Sequence, residues 1–389
     1  MTKFFNFLLI LCVTLLFSGC AEPEPHEKRL EAIMENEESL KIALTWPIGN
    51  QNHAGTKTSI KQGVEMAARE INDKGGLLGR KIEVAMHDDE RSVNVGLDIA
   101  REIAVDSSIF AVIGHLDSYI SVPAAATYDR AGIINLNPGS ADPSLTGSNR
   151  LGIVRLIPDS GDQGRRLARH LAEKNFVNVA LYYVDNAYGK NMANSFEAES
   201  DVVGLNISDR RSYQKVSKDH DRVFGYWSDF LSFDAIVLIA SMPEGNEVVA
   251  SIRRSGITVP IFAAPGIDTA SFAKNLVDDD EVYVMSYFHR DLPREKTQDF
   301  VQQFREFAGA YPSEASSALG YDAVHILAFA VEKTRSFDRE KLIEALKGEM
   351  TFNGAAGEYS FNSIGEPIDK LLTLNAVKNE VFVLSELIN

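Results

Sequence analysis

Short apolar runs alternate with helix-periodic segments along almost the whole chain, and they do so in two successive cycles. The first cycle reads strand at 41–45, helix at 58–72, strand at 82–86 and helix at 95–105. Strands at 110–113 and 133–136 then flank a helix near 122–128, and a further strand begins at 153–157 with Pro158 beyond it. In the 58–72 segment Ile60, Val64, Ala67, Ala68 and Ile71 fall on one helical face, and Gly75-Gly76 stops it. The second cycle runs through helix 165–174, strand 177–183, helix 188–199 and helix 223–231, which carries Trp227 as a core residue. Residues 235–240 are unbroken apolar, the mark of a parallel strand covered on both faces. Segments 247–255, 261–264, 271–276 and 282–287 keep the alternation, and Phe300, Phe304 and Phe307 stripe a later helix before two more at 317–334 and 338–347. The pattern predicts an α/β protein made of two doubly wound, Rossmann-like halves, with a ligand between them at the carboxyl edges of both sheets.

Two loops carry the chemistry expected at such an edge. Gly114-His115-Leu116-Asp117-Ser118 follows the run at 110–113, and Gly139-Ser140-Ala141-Asp142-Pro143-Ser144-Leu145-Thr146 follows the run at 133–136. In open α/β sheets ligands bind beyond the carboxyl ends of strands. Glycine lets the backbone approach a ligand, serine brings a hydroxyl, and a following helix offers free N–H groups to an anion. Either loop alone reads as an ordinary surface loop. Two with matching chemistry point to a ligand site.

The net charge of −16, with no basic stripe, argues against nucleic acid as a partner. There is no G-x-G-x-x-G, P-loop, G-x-S-x-G or H-E-x-x-H motif, and the eight histidines show no metal spacing. No cofactor and no metal are expected. His115 is the one histidine in a candidate loop, and a structural or hydrogen-bonding role suits it better than catalysis.

The N-terminus reads as a signal segment. Lys3 precedes a largely apolar stretch at 4–17, too short to span a membrane, which ends in Ser18-Gly19-Cys20. Small residues before a cysteine resemble a lipoprotein signal, with Cys20 as the lipidated first residue and 1–19 removed. The alternative is a conventional signal that leaves Cys20 a free thiol. Cys12 lies inside the signal, so no internal disulfide is expected in the mature chain. Residues 20–40 follow as an acidic tether, with seven glutamates against Lys28 and Arg29 and a partly helical stretch at 26–36.

From Lys41 to its end the chain resembles the leucine/isoleucine/valine-binding protein family, type I solute-binding proteins of ABC transporters. The markers are Gly63-Val64-Glu65, Ile71-Asn72-Asp73-Lys74-Gly75-Gly76, Asp88-Asp89, Val112-Ile113-Gly114-His115-Leu116, the 139–146 loop, Tyr188-Gly189 and Tyr321-Asp322-Ala323-Val324. The resemblance implies two lobes joined by three crossovers: 41–159 with 289–363, and 160–288 with 364–389. It implies that Ser118 binds a ligand carboxylate together with Gly139, Ser140 and Ala141, that Tyr188 closes over the ligand from the second lobe, and that Trp46 narrows the pocket or forms a flat wall. The family's ammonium-binding acid falls near Pro265. Asp268 is the nearest acid, and Glu244 and Asp185 are further candidates. A cysteine pair found in some members is replaced by Arg91 and Asp117. These are expected to form an ion pair, with a cleft-facing, cation-binding Asp117 as the alternative.

The leading functional reading is a membrane-tethered extracytoplasmic receptor that delivers a small polar ligand, an amino acid or related carboxylate, to an ABC permease. A ligand-sensing or envelope-partner lipoprotein on the same fold is the alternative. An enzyme using paired carboxylates among Asp117, Asp185, Glu244 and Asp268 ranks third.

Overall fold

The computed structural model describes residues 24–49, 54–147, 151–214, 219–276, 281–348 and 350–388. The signal segment and Cys20 lie outside them. Two sheets organise the chain. The first has strand order β2-β1-β3-β4-β5, all parallel, from β1 (Ser39–Trp46), β2 (Lys81–Asp88), β3 (Ile109–Gly114), β4 (Ile134–Asn137) and β5 (Ile153–Arg155). Helices α2 (Ala54–Asp73), α3 (Val93–Val105) and α4 (Ser118–Arg130) connect them. Burial follows the expected helical stripe, with Ile60, Val64, Ala67, Ala68 and Ile71 all in the core.

The second sheet has order β14-β13-β10-β9-β8-β6-β7. Its parallel part is β6 (Asn178–Val184), β7 (Asn206–Tyr213), β8 (Ala235–Ile239), β9 (Ile261–Ala263) and β10 (Val282–Ser286). Every residue of β8 is buried, as a strand covered on both faces requires. Helices α5 (Ser160–Glu173), α6 (Ala187–Val203), α7 (His220–Phe230), α8 (Glu244–Arg254) and the short α9 (Ala270–Ala273) belong to this lobe. The chain then returns to the first lobe with α10 (Glu295–Ala308), α11 (Ala315–Thr334) and α12 (Arg339–Leu346), followed by a hairpin of β11 (Phe352–Gly354) and β12 (Gly357–Tyr359). It crosses once more to add β13 (Leu372–Lys378) and β14 (Val381–Ile388) as antiparallel edge strands of the second sheet.

The helix expected at 26–36 forms as α1 (Pro25–Glu35), but it docks on the first lobe instead of being solvated, and residues 20–23 of the expected tether lie outside the described residues. Ile33 joins the core, and Arg29 is 4% exposed. The Arg29 guanidinium donates to the carbonyls of Ala104 (2.8 Å), Asp106 (2.6 Å), Ile109 (2.7 Å) and Ala131 (3.1 Å). Burial lowers its pKa to about 10, still charged at neutral pH. The acidic composition hid this contact, because one buried arginine outweighs several solvated glutamates. Replacing Arg29 by methionine is expected to cost about 1–3 kcal/mol, since these carbonyls lose their donor. The change is expected to appear as a lower melting temperature together with protease cleavage within α1.

Candidate functional site

The apolar strand β3 runs out at Gly114, where the backbone turns with φ +132°. A β-carbon there would lie 2.1 Å from the Thr45 carbonyl oxygen on β1, so the site demands glycine. His115, next in the chain, is fully buried. Its Nδ1 is 2.7 Å from Asp89 Oδ2 and its Nε2 is 2.9 Å from the Tyr128 hydroxyl. His115 thus anchors the loop beneath the site, in the hydrogen-bonding role expected, through partners that the sequence did not reveal.

The second loop is tied to the first by Asn137 at the end of β4. Its Oδ1 accepts from the amides of Gly139 (3.1 Å) and Ser140 (2.7 Å), while Nδ2 donates to the Gly114 carbonyl at 2.7 Å. Ser140 is buried behind Ser118 and donates its hydroxyl to Ser118 Oγ at 3.0 Å. That bond leaves the Ser118 proton available to an outside acceptor. Ser118 is also the first residue of α4, where helix N–H groups favour an anion.

Arg155 on β5 holds the 139–146 loop from below. It is fully buried, donating to the carbonyls of Asp142 (2.6 Å) and Ser140 (3.3 Å), to Glu366 Oε2 (3.0 Å) and, in a second contact, to Glu366 Oε1. Arg91 and Asp117 form the expected ion pair, bidentate at 2.8 and 2.7 Å. Burial lowers the Arg91 pKa, but the Asp117 carboxylate overrides it and raises the value, so Asp117 is committed to arginine rather than to a cation.

Between the lobes lies a cavity of about 450 Å³. Trp46, Ser118, Gly139, Ala141, Tyr188 and Asp268 all line it. Ser140 does not, since it stands behind Ser118. Glu244 opens α8 outside the cavity, and Asp185 is engaged by Gln214 (2.6 Å) and Lys190. The sequence reading missed two further wall residues that bear on the chemistry, Tyr287 and Glu314. Leu116, Val122, Met242 and Leu319 make much of the remaining wall apolar. Tyr188 reaches in from the start of α6, packed among residues of both lobes, and burial raises its pKa. Asp268 follows the turn Pro265–Ile267 and accepts from the Ser286 hydroxyl at 2.5 Å. Burial pushes its pKa up to about 7, against the Ser286 bond and with help from the like charge of Glu314.

One parallel and one largely parallel sheet, with a cavity where the loops beyond their strands face each other, define the architecture. The family model described as periplasmic binding protein matches residues 39–374. The chain belongs to the periplasmic binding protein family. An ABC transporter substrate-binding protein from Desulfitobacterium hafniense, solved in complex with Leu, is 34% identical. It covers 90% of this chain and 100% of its own, with a TM-score of 0.79. The Leu/Ile/Val-binding protein homolog 1 of Brucella abortus (strain 2308) is 24% identical over 310 residues, 79% of this chain and 82% of that relative. The branched-chain amino acid transporter substrate binding protein of Streptococcus pneumoniae, solved with isoleucine, shares the fold at a TM-score of 0.81 and 24% identity, over 90% of this chain and 99% of its own. The members of this family are solute-binding proteins, and the chain is read as a solute-binding receptor of the leucine/isoleucine/valine-binding type.

Proposed function

We propose that this protein is an extracytoplasmic receptor that captures an amino acid with an apolar side chain and presents it to an ABC permease. The observation that carries the reading is the interlobe cavity, with the Ser118 hydroxyl and the start of α4 on one side and an apolar wall around it. Its volume of about 450 Å³ suits a small metabolite. The ligand carboxylate sits at Ser118 and the Gly139–Ala141 loop, the ammonium faces Asp268, and the side chain lies against Trp46 and Leu116. Tyr188 covers the ligand as the lobes close about the three crossovers. Lipid on Cys20 tethers the receptor to a membrane surface, and 41–159 with 289–363 moves against 160–288 with 364–389.

A thermal-shift panel of amino acids, simple carboxylates, polyamines and sugars tests this. Leucine, isoleucine or valine is expected to raise the melting temperature, and Ser118→Ala to weaken that ligand by about 1.5–3 kcal/mol through loss of a charge-assisted hydrogen bond. A shift with sugars alone would discard the amino-acid ligand.

The affinity is expected to depend on pH in a set direction. An ammonium beside Asp268 favours the carboxylate, so the ligand lowers a pKa that stands at about 7 in the empty site. Binding then releases a proton. Affinity rises with pH through neutrality and falls by up to about tenfold per unit below it. Glu314 and Tyr287, the titratable groups that interact electrostatically with Asp268, are both acids, and neither reverses the sign. Calorimetry in buffers of different ionisation enthalpy measures the proton release directly.

A further inference from the structure

Helix α1 is pinned to the first lobe along its length. Near its start, a β-carbon on Gly132 would lie 2.6 Å from the His26 Cα, so helix and lobe meet backbone to backbone. One turn on, the buried Arg29 binds its four carbonyls. Toward the far end, Arg80 donates to the Ile33 carbonyl, with its guanidinium carbon 4.7 Å from the centre of the Phe337 ring. Leu30 and Ile33 pack against the first-lobe core between these points. Undocking α1 would therefore strip buried carbonyls of charged donors and expose apolar surface.

The acceptors of Arg29 locate the contact. Ala104 lies in the last turn of α3, Ile109 opens β3 and Ala131 follows α4. All three belong to the amino edge of the first sheet. The ligand cavity lies at the opposite edge, beyond the Gly114 end of β3, about 20 Å away across one strand length. The second lobe lies beyond the cavity.

Chain length turns this docking into a constraint. Cys20 stands five residues before Pro25, a reach of at most about 18 Å. A free tether from Cys20 to the start of β1 at Ser39 would reach about 65 Å. The net charge of −16 offers no attraction to an anionic lipid surface, so closeness to lipid has to come from the chain itself.

We propose that α1 is a docked anchor: it keeps the amino edge of the first lobe beside the lipid surface that carries Cys20, with the cavity and the second lobe on the side away from that surface on average. The inference rests on lipidation of Cys20 and adds which face of the receptor the lipid holds. The lobe bearing Ser118 is then the held one, and the second lobe, joined through the crossovers, is the one that swings in closure.

The test uses the full lipid-bearing chain in phosphatidylcholine vesicles that carry an acceptor dye on the head groups. A donor dye is placed on one introduced cysteine, Ser107→Cys or Val202→Cys. Ser107 is exposed in the groove beside Pro25 and Lys28. Val202 is exposed near the far end of α6, which runs about 25 Å from the cavity wall at Tyr188. Energy transfer is expected to be at least about twofold more efficient at Ser107→Cys than at Val202→Cys. The two are expected to converge when a 20-residue Gly-Ser segment follows Glu22, an insertion that leaves α1 unaltered and adds a flexible reach of about 25 Å. Arg29→Met is expected to lower the Ser107→Cys transfer in the same direction. Equal transfer at both positions in the parent chain, or no change on insertion, would overturn the anchor while leaving the lipid in place. Transfer at Ser107→Cys that disappears in high salt would assign the closeness to charge and overturn it as well. Mass spectrometry of the N-terminal peptide reads the lipid separately, and an unmodified Cys20 would overturn the tether reading together with the anchor.

Discussion

Arg155→Met is expected to lower the stability of the protein by about 3–5 kcal/mol, the range for breaking a buried ion pair by removing one partner. The guanidinium is completely buried and serves four acceptors: Glu366, the Ser140 and Asp142 carbonyls, and Thr146. Methionine fills the volume but takes the guanidinium from the Glu366 carboxylate and two carbonyls, and the Thr146 hydroxyl on Glu366 and the Leu145 amide on Asp142 do not replace its charge. The loss reaches the ligand site as well, because Ser140 positions Ser118 and belongs to the segment Arg155 holds. Ligand affinity is therefore expected to fall together with stability. Arg155→Lys is not conservative here, since an ammonium cannot reproduce a planar fork that bonds on three nitrogens. It is expected to recover less than half of the loss. Urea unfolding followed by ligand titration on the folded fraction measures both effects. A variant of native stability and native affinity would show that the loop holds its shape without the arginine.

Lys370→Met is expected to cost a similar amount, about 3–5 kcal/mol, for a different reason. Lys370 is 1% exposed and lies on the third crossover, where its Nζ donates to the Ala356 carbonyl at 2.8 Å and sits 3.3 Å from the centre of the Tyr359 ring. The opposing charge is Asp322 of α11, which accepts from the amides of Ala355 (2.7 Å) and Ala356 (2.8 Å) and from the Tyr359 hydroxyl (2.9 Å). Burial raises the Asp322 pKa and Lys370 opposes that shift, while burial lowers the Lys370 pKa to about 7 and Asp322 opposes that, so each charge supports the other against desolvation. Without it, Asp322 either stays charged at high cost or takes up a proton and loses an acceptor site. The double variant Lys370→Met with Asp322→Asn is expected to be more stable than the sum of its two single changes, and a double-mutant cycle by chemical denaturation reads that coupling. Strict additivity would mean that the two charges do not sense each other. The pair also joins α11 to the segment that crosses between lobes, so its loss is expected to loosen the hinge.

Much of the fold is legible in the sequence because it is written in local patterns. The fully apolar run of β8, the stripe Ile60, Val64, Ala67, Ala68, Ile71, and the glycine at the end of β3 each specify their element through nearby residues. The Arg91–Asp117 pair could be anticipated because the resemblance placed two opposite charges at one position in space. What stayed hidden are the contacts made by buried polar groups with distant partners. Arg155 meets Glu366 across 211 positions of chain, and Asp322 meets Lys370 on the far side of a hairpin. A signal was nonetheless present, since Arg155 stands inside the apolar stretch 153–157, where a charge must have a buried partner. The docking of α1 was obscured for a related reason. Arg29 and Ile33 lie one helical turn apart and face the lobe, yet the surrounding glutamates dominate the composition. In the cavity, the ligand loops announced themselves through glycine and serine, whereas Glu314 carries no such mark and becomes meaningful only where the two lobes meet.

Equilibrium dialysis of the purified protein against labelled L-leucine measures amino-acid capture by the interlobe cavity directly. One ligand per chain is expected, displaced by isoleucine or valine but not by sugars, with affinity weakened at least about tenfold by Ser118→Ala. Absence of saturable binding by folded protein for leucine and for every other amino acid tried as competitor would contradict it.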